Sequence, residues 1–179
     1  MVYICVITTT HIERIDFIGR IYKTIRFAYE TKYWIDELVT ARTEQLQKSI
    51  REEGLQDRIE EQLLNMNEDD LDGISINISL NVSVGSIIEQ AVRDSRNLKE
   101  EDWNALSLEV ETAKRLIKNS NQNDSTPRIY ISEQIYRELE DLQSILRQDG
   151  SRVPRMSFII KLAVYNLYKK GAINLDGVR

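Results

Sequence analysis

The chain has 179 residues, of which 41% are apolar and 30% charged, and its net charge is −5 at neutral pH. This balance suits a soluble chain of one or two small domains, and its seven glycines and two prolines favour long helices over a turn-rich sheet protein. One cysteine, Cys5, excludes an internal disulfide and one histidine, His11, leaves no cluster for zinc; no cofactor or metal is expected, and the compartment is expected to be reducing and cytoplasmic.

The opening MVYICVI is too short for a signal peptide or membrane span and reads as a buried strand, continuing through the β-branched run to Thr10. Ile12 to Phe27 can continue as a short helix or as a strand, and the recurrence of Ile15, Ile18, Ile21 and Ile25 at threes and fours favours helix. Arg14, Arg20, Lys23 and Arg26 make that piece basic, which a solvated face explains. Glu30 to Met66 carries Ile35, Leu38, Ala41, Leu46 and Ile50, then Leu55, Ile59 and Leu63 after Gly54, in good helix-forming company. A helical hairpin and a dimerising coiled coil both fit. Residues 1–66 therefore read as an N-terminal helical region for oligomerisation or for binding a protein partner.

Acidic neighbours such as Glu52 and Glu53, or Glu60 and Glu61, point in different directions on a helix and make no catalytic pair. The break NMNEDDLDG, Asn65 to Gly73, lacks the alternating ligands and closing glutamate of a calcium loop and reads as a linker. A second polar break, Asn119 to Thr126, reads as a hinge. With no glycine-rich phosphate loop, no partner for His11 and Cys5 in an apolar run, no catalytic constellation is present, and an enzyme is not expected.

Beyond the hinge, Ser125 to Lys170 changes character. Arg128, Tyr130 and Ser132 fall on one face of an extended segment and Ile129 and Ile131 on the other, with Pro127 suited to the first position of a strand. From Glu133 the apolar positions Ile135, Leu139, Leu142 and Ile145 take helical spacing, with Ser132 as the expected cap and Asp149 and Gly150 as the stop. A second helix should run to about Lys170, apolar almost all round through Ile159, Ile160, Leu162, Ala163 and Val164, and so buried. One strand and two helices cannot bury these faces alone, which requires a partner strand.

Strand, helix, helix with strand pairing between two copies resembles the ribbon-helix-helix family of Arc-like and methionine-repressor-like DNA binders. The resemblance implies a mainly α fold with short strands, in which module 125–170 places a two-stranded ribbon in the major groove of double-stranded DNA. It implies base contacts from Arg128 and Tyr130, with Thr126 and Ser132 at the ends; arginine suits guanine O6 and N7. It further implies phosphate contacts near Arg152, Arg155, Met156 and Ser157, at the start of the last helix. The usual small polar cap is missing there, because Val153 and Pro154 follow Ser151.

The partner strand has two candidate sources. Laid on the C-terminal module, Ile76 meets Ile129, Ile78 meets Ile131 and Ser79 meets Ser132, so residues 74–118 read as a degenerate second copy, with Asn77 opposite Tyr130 and a pseudo-dimer in one chain. A rival parse starts a second-type helix at Ser83, capping VGSIIEQAV, and the alternative to the tandem is a homodimer pairing 128–132 with itself. Charge fits a reader at this end: from Ser125 onward nine Lys and Arg face six Asp and Glu, and before it 15 face 23. Two functions follow: a sequence-specific DNA-binding regulator such as a repressor, or a non-enzymatic assembly protein, antitoxin-like or partition-like, that uses the same fold to dimerise.

Overall fold

The computed structural model describes residues 19–66, 79–117, 124–147 and 153–176. It is mainly helical, with one two-stranded antiparallel sheet. In chain order the elements are β1 (Arg20–Thr24), α1 (Tyr29–Glu53), α2 (Leu55–Met66), α3 (Val84–Asp94), α4 (Glu100–Leu116), β2 (Arg128–Ser132), α5 (Glu133–Ile145) and α6 (Met156–Asp176).

Strand β2 begins where Pro127 and the alternation place it, and its partner is β1. Neither source considered from sequence supplies the partner strand within the chain; residues 74–78 lie outside the described residues. The helix expected across Ile12 to Phe27 is thereby corrected over Arg20–Thr24, which is extended and paired along its whole length. Isoleucines at helical spacing lose here to a paired strand whose Ile21 lies opposite Ile131 and helps cover the core. An isolated bridge between Phe27 and Ser125 prolongs the contact.

The long N-terminal helical stretch is present and breaks at Gly54, whose φ of 57° and ψ of 38° put it in the left-handed region where glycine carries no steric penalty. Helix α3 starts at the alternative cap: the Ser83 side chain accepts from the Ser86 N–H at 3.1 Å and the Ser83 N–H donates to the Ser86 hydroxyl at 2.9 Å. Ser132 precedes α5 as expected, but its hydroxyl makes no capping bond. The Glu133 N–H donates instead to the Gly19 carbonyl at 2.8 Å, so the pairing of the strands extends into the first residue of the helix. The stop expected at Asp149 and Gly150 lies outside the described residues; α5 has already ended at Ile145.

One core joins both ends of the chain. Ile129 and Ile131 from β2, Ile135 and Leu139 from α5, Trp34 and Ile35 from α1, and Ile88, Ala91 and Val92 from α3 surround Ile159, Ile160, Ala163 and Val164 of α6. Helix α6 is therefore buried as its nearly all-round apolar pattern requires, with α3, α1, α4 and α5 against it. Trp34 stacks against Tyr165 at a ring separation of 4.9 Å and against Tyr168 at 6.3 Å. Two ion pairs are drawn into this packing: Lys161 donates to the buried Glu30 at 2.7 Å, and Lys169 to Glu109 at 2.7 Å. Asn166 donates to Ser95 at 3.1 Å, which pairs two buried polar side chains.

Two consequences can be measured. A Cβ built on Gly85 would stand 2.1 Å from the Tyr130 carbonyl oxygen, whereas at Gly171 nothing lies within 4 Å. Gly85→Ala should therefore cost about 1–3 kcal/mol in denaturant unfolding, while Gly171→Ala, inside a helix, should add about 0.5–1 kcal/mol; equal effects would contradict the packing of α3 on β2. Burial also holds the Tyr165 and Tyr168 phenols above the ordinary tyrosine range, helped by Glu109 at the first and Tyr33 at the second. The folded phenols thus keep protons that the unfolded chain releases above about pH 10, so stability falls as pH rises beyond that point. Thermal melts across alkaline pH should show the fall, and Tyr165→Phe with Tyr168→Phe should reduce it.

Candidate nucleic-acid interface

The ribbon is built around the pair Tyr22 and Tyr130. Exchanging the strands about that pair carries Arg20↔Ser132 onto Thr24↔Arg128 and Ile21↔Ile131 onto Lys23↔Ile129, so the register has an internal two-fold. The flanking hydrogen bonds obey it as well: Ile25 N–H donates to Pro127 O at 3.3 Å, and Glu133 N–H to Gly19 O at 2.8 Å. Two side-chain contacts repeat in the same way, with the Arg128 guanidinium 4.2 Å from the Tyr22 ring centre and that of Arg20 4.9 Å from the Tyr130 ring centre. The two tyrosine rings lie 4.6 Å apart. Each cation faces the negative face of an aromatic ring, which orients it without neutralising its charge.

Alternation separates the two sides of this ribbon. Ile129 and Ile131 are buried against the helices, and Ile21 is half-buried. On the outer side Arg20, Tyr22, Thr24, Arg128 and Tyr130 are exposed, with Tyr22 at 58% and Tyr130 at 42%. Two large aromatic rings left this open beside two arginines form a surface suited to a partner. Lys23 departs from the pattern: it sits among the inward positions, with its ammonium 4.1 Å from the Tyr136 ring centre.

The two ends of the ribbon differ in what covers them. At the Arg20–Ser132 end, α3 approaches the β2 edge closely, and the buried Glu89 carboxylate accepts the Ser132 N–H at 2.8 Å and the Arg20 guanidinium at 2.8 Å. Arg20 also donates to the Tyr130 carbonyl at 3.2 Å, and Arg93 lies 3.5 Å from the second Glu89 oxygen. The absence of a side chain at Gly85 makes this approach feasible. At the Thr24–Arg128 end, Arg128 makes no ion pair among the described residues. Nearby, a cleft of about 330 Å³ is lined by Lys23, Thr24, Arg26, Tyr136, Arg155 and Ser157, and Arg26 pairs with the half-exposed Asp124 at 3.0 Å.

Of the residues singled out from sequence, Arg128 and Tyr130 stand on the exposed face, and Thr126 is exposed just before β2. Ser132 is only 6% exposed and lies under Glu89 and Arg20, so its position on the outward parity does not make it accessible. Arg155 is exposed and Met156 and Ser157 are half-buried at the start of α6, where the first backbone N–H groups of a helix lack intrahelical acceptors. Arg152 lies outside the described residues. Sequence reasoning missed Arg20, Tyr22, Thr24 and Glu89. For the first two a signal existed, since Arg-Ile-Tyr occurs at 20–22 and again at 128–130.

Helices α3 and α6 carry a similar repeat. Ile87, Ile88, Ala91 and Val92 of α3 recur as Ile159, Ile160, Ala163 and Val164 of α6, and all are buried. Ser83 and Arg155 occupy the same step before them, each carbonyl accepting the N–H of the first isoleucine, Ile87 at 3.1 Å and Ile159 at 3.2 Å. Among the described residues no group of three or more His, Cys, Asp or Glu is placed to hold a metal ion, and no helix is long and apolar enough to cross a membrane. Comparison with protein-family models, with curated proteins and with solved structures finds no match to this chain.

The arginine–tyrosine contacts can be tested as an energy. Double-mutant cycles that pair Arg128→Ala with Tyr22→Ala and with Tyr22→Phe should give a coupling of about 0.5–1 kcal/mol for the alanine and close to none for the phenylalanine, because Tyr22→Phe keeps the ring that carries the contact.

Proposed function

We propose that this chain is a DNA-binding protein of ribbon-helix-helix type that carries both halves of the module in one polypeptide. In this reading β1, α1 and α3 make one half and β2, α5 and α6 the other, with α2 and α4 inside the connections. The observation that carries it is the two-fold ribbon itself: an antiparallel pair with Arg20, Tyr22, Arg128 and Tyr130 on its open face and helices behind it. A two-stranded ribbon of this kind has the dimensions to enter the major groove, and an open arginine such as Arg128 can pair with guanine O6 and N7.

Charge supports the same reading at local scale. The net charge of −5 is that of the whole chain. Pairing of β1 with β2 adds the basic piece Arg20, Lys23 and Arg26 to the C-terminal end, which already has the more positive balance, and sets Arg155 close by. Phosphates flanking a groove-bound ribbon would meet those cations and the start of α6. Arg155, Met156 and Ser157 are assigned that contact, and Arg128 and Tyr130 the bases, with Tyr22 added to them. A regulator such as a transcriptional repressor is the role this arrangement serves most directly.

A second reading rests on the exposed tyrosine pair, whose composition suits a protein contact equally well. An antitoxin-like or partition-like assembly protein would use the same ribbon to bind another protein. Titration of duplex DNA against salt separates the two. The wild type should bind with a logarithmic salt slope of about −0.9 per phosphate neutralised. Arg128→Ala should weaken binding at least about fivefold without changing the melting temperature by more than a degree or two. Failure of the wild type to bind duplex at low salt, or binding indifferent to Arg128→Ala, would remove the ribbon from this role.

A further inference from the structure

The register of the ribbon is two-fold, yet the chemistry at its ends is not. Under the strand exchange Arg20 corresponds to Arg128 and Ser132 to Thr24. Thr24 and Arg128 are both exposed, and among the described residues Arg128 lies against the Tyr22 ring and makes no ion pair. Their counterparts are occupied: Ser132 is buried, and Arg20 donates to the Glu89 carboxylate at 2.8 Å and the Tyr130 carbonyl at 3.2 Å. Glu89 lies on α3 with its side chain 8% exposed, and it also takes the Ser132 N–H. In α6 the matching step of the repeated pattern is Lys161, which turns to Glu30 and places no carboxylate against Arg128. The free end also borders the cleft that Lys23, Arg26 and Arg155 line, while the other end carries the acid.

Resting on the DNA-binding reading above, we infer that the ribbon reads a non-palindromic duplex site, with Arg128 specifying one half and Glu89 acting as the specificity-determining residue that withholds Arg20 from the other. Both hydrogens of the Arg20 Nη2 are taken, one by the buried carboxylate and one by the carbonyl. Each of the two bidentate forks of a guanidinium uses that nitrogen, so one must be given up before the parallel pair of hydrogen bonds that reads guanine can form. A symmetric pair of strands is thereby converted into a one-sided reader, as a single chain permits because its halves are free to differ.

Selection of bound sequences from random duplexes tests this with three variants beside the wild type. The wild type should enrich a motif with one specified half and a second half of weak preference. Arg128→Ala should lose at least about fivefold in affinity for that motif, whereas Arg20→Ala should stay within about twofold and enrich the same motif. Glu89→Gln keeps an oxygen to accept the Ser132 N–H but removes the charge, so it should release Arg20 and sharpen the second half toward a mirror image of the first.

A palindromic wild-type motif would overturn the inference, as would Arg20→Ala losing as much as Arg128→Ala, or Glu89→Gln folding normally and enriching the wild-type motif unchanged. Should Glu89→Gln fail to fold in circular dichroism, the wild-type motif and Arg20→Ala still decide between these outcomes. Enrichment of no sequence at all by the wild type would refute the DNA-binding reading itself and the inference with it, a result distinct from an enriched palindrome.

Discussion

Burial of one face of a two-stranded ribbon is the constraint from which the rest of this structure follows. Two strands of five residues are marginal alone, and these two lie more than a hundred residues apart in the chain. Their pairing persists because Ile129 and Ile131 are removed from water onto α6 and its neighbours, with Ile21 at the margin. The helices in turn need the ribbon as a lid: α6 is apolar on nearly every side and has α1, α3, α4 and α5 around it. Each layer covers apolar surface of the other. Closing so long a loop adds only logarithmically to the entropic cost, which the buried isoleucines offset.

The same constraint explains how the two halves of the molecule come together. Helix α3 lies beside α6, and both carry the same isoleucine and alanine–valine steps at the same depth. A small alanine at one step in each helix leaves room for close approach, and Gly85 allows α3 to run up to the β2 backbone. Where the close approach occurs, buried backbone donors need acceptors, and Glu89 supplies one for Ser132. The carboxylate is then itself satisfied by Arg20, and a packing decision in the interior becomes a charge decision at the surface.

Much of the C-terminal half was legible in the sequence because its signals are local. Pro127, the alternation from Arg128 to Ser132 and the change of period at Glu133 are each read within a few residues, and β2, α5 and α6 follow them. Gly54 and Ser83 likewise announce helix ends by their own chemistry. Strand β1 was missed because Ile15, Ile18, Ile21 and Ile25 satisfy a helical period, whereas pairing with a strand more than a hundred residues away leaves no local trace. The repeated Arg-Ile-Tyr was a trace of another kind, a similarity between distant segments. Ser132 shows the opposite limit: its parity on the strand is right, but what buries it is a glutamate on another helix. Of the surface contacts, the arginines were readable as residue types, while the inequality between them was not.

That β1 and β2 belong to one polypeptide changes how the ribbon responds to amount. When paired strands come from separate subunits, the surface they form exists only above the dissociation constant of the dimer, and its population falls steeply on dilution. Here formation of the pair is a unimolecular event with no concentration in its equilibrium. A few copies in a compartment carry as complete a ribbon as many thousands do.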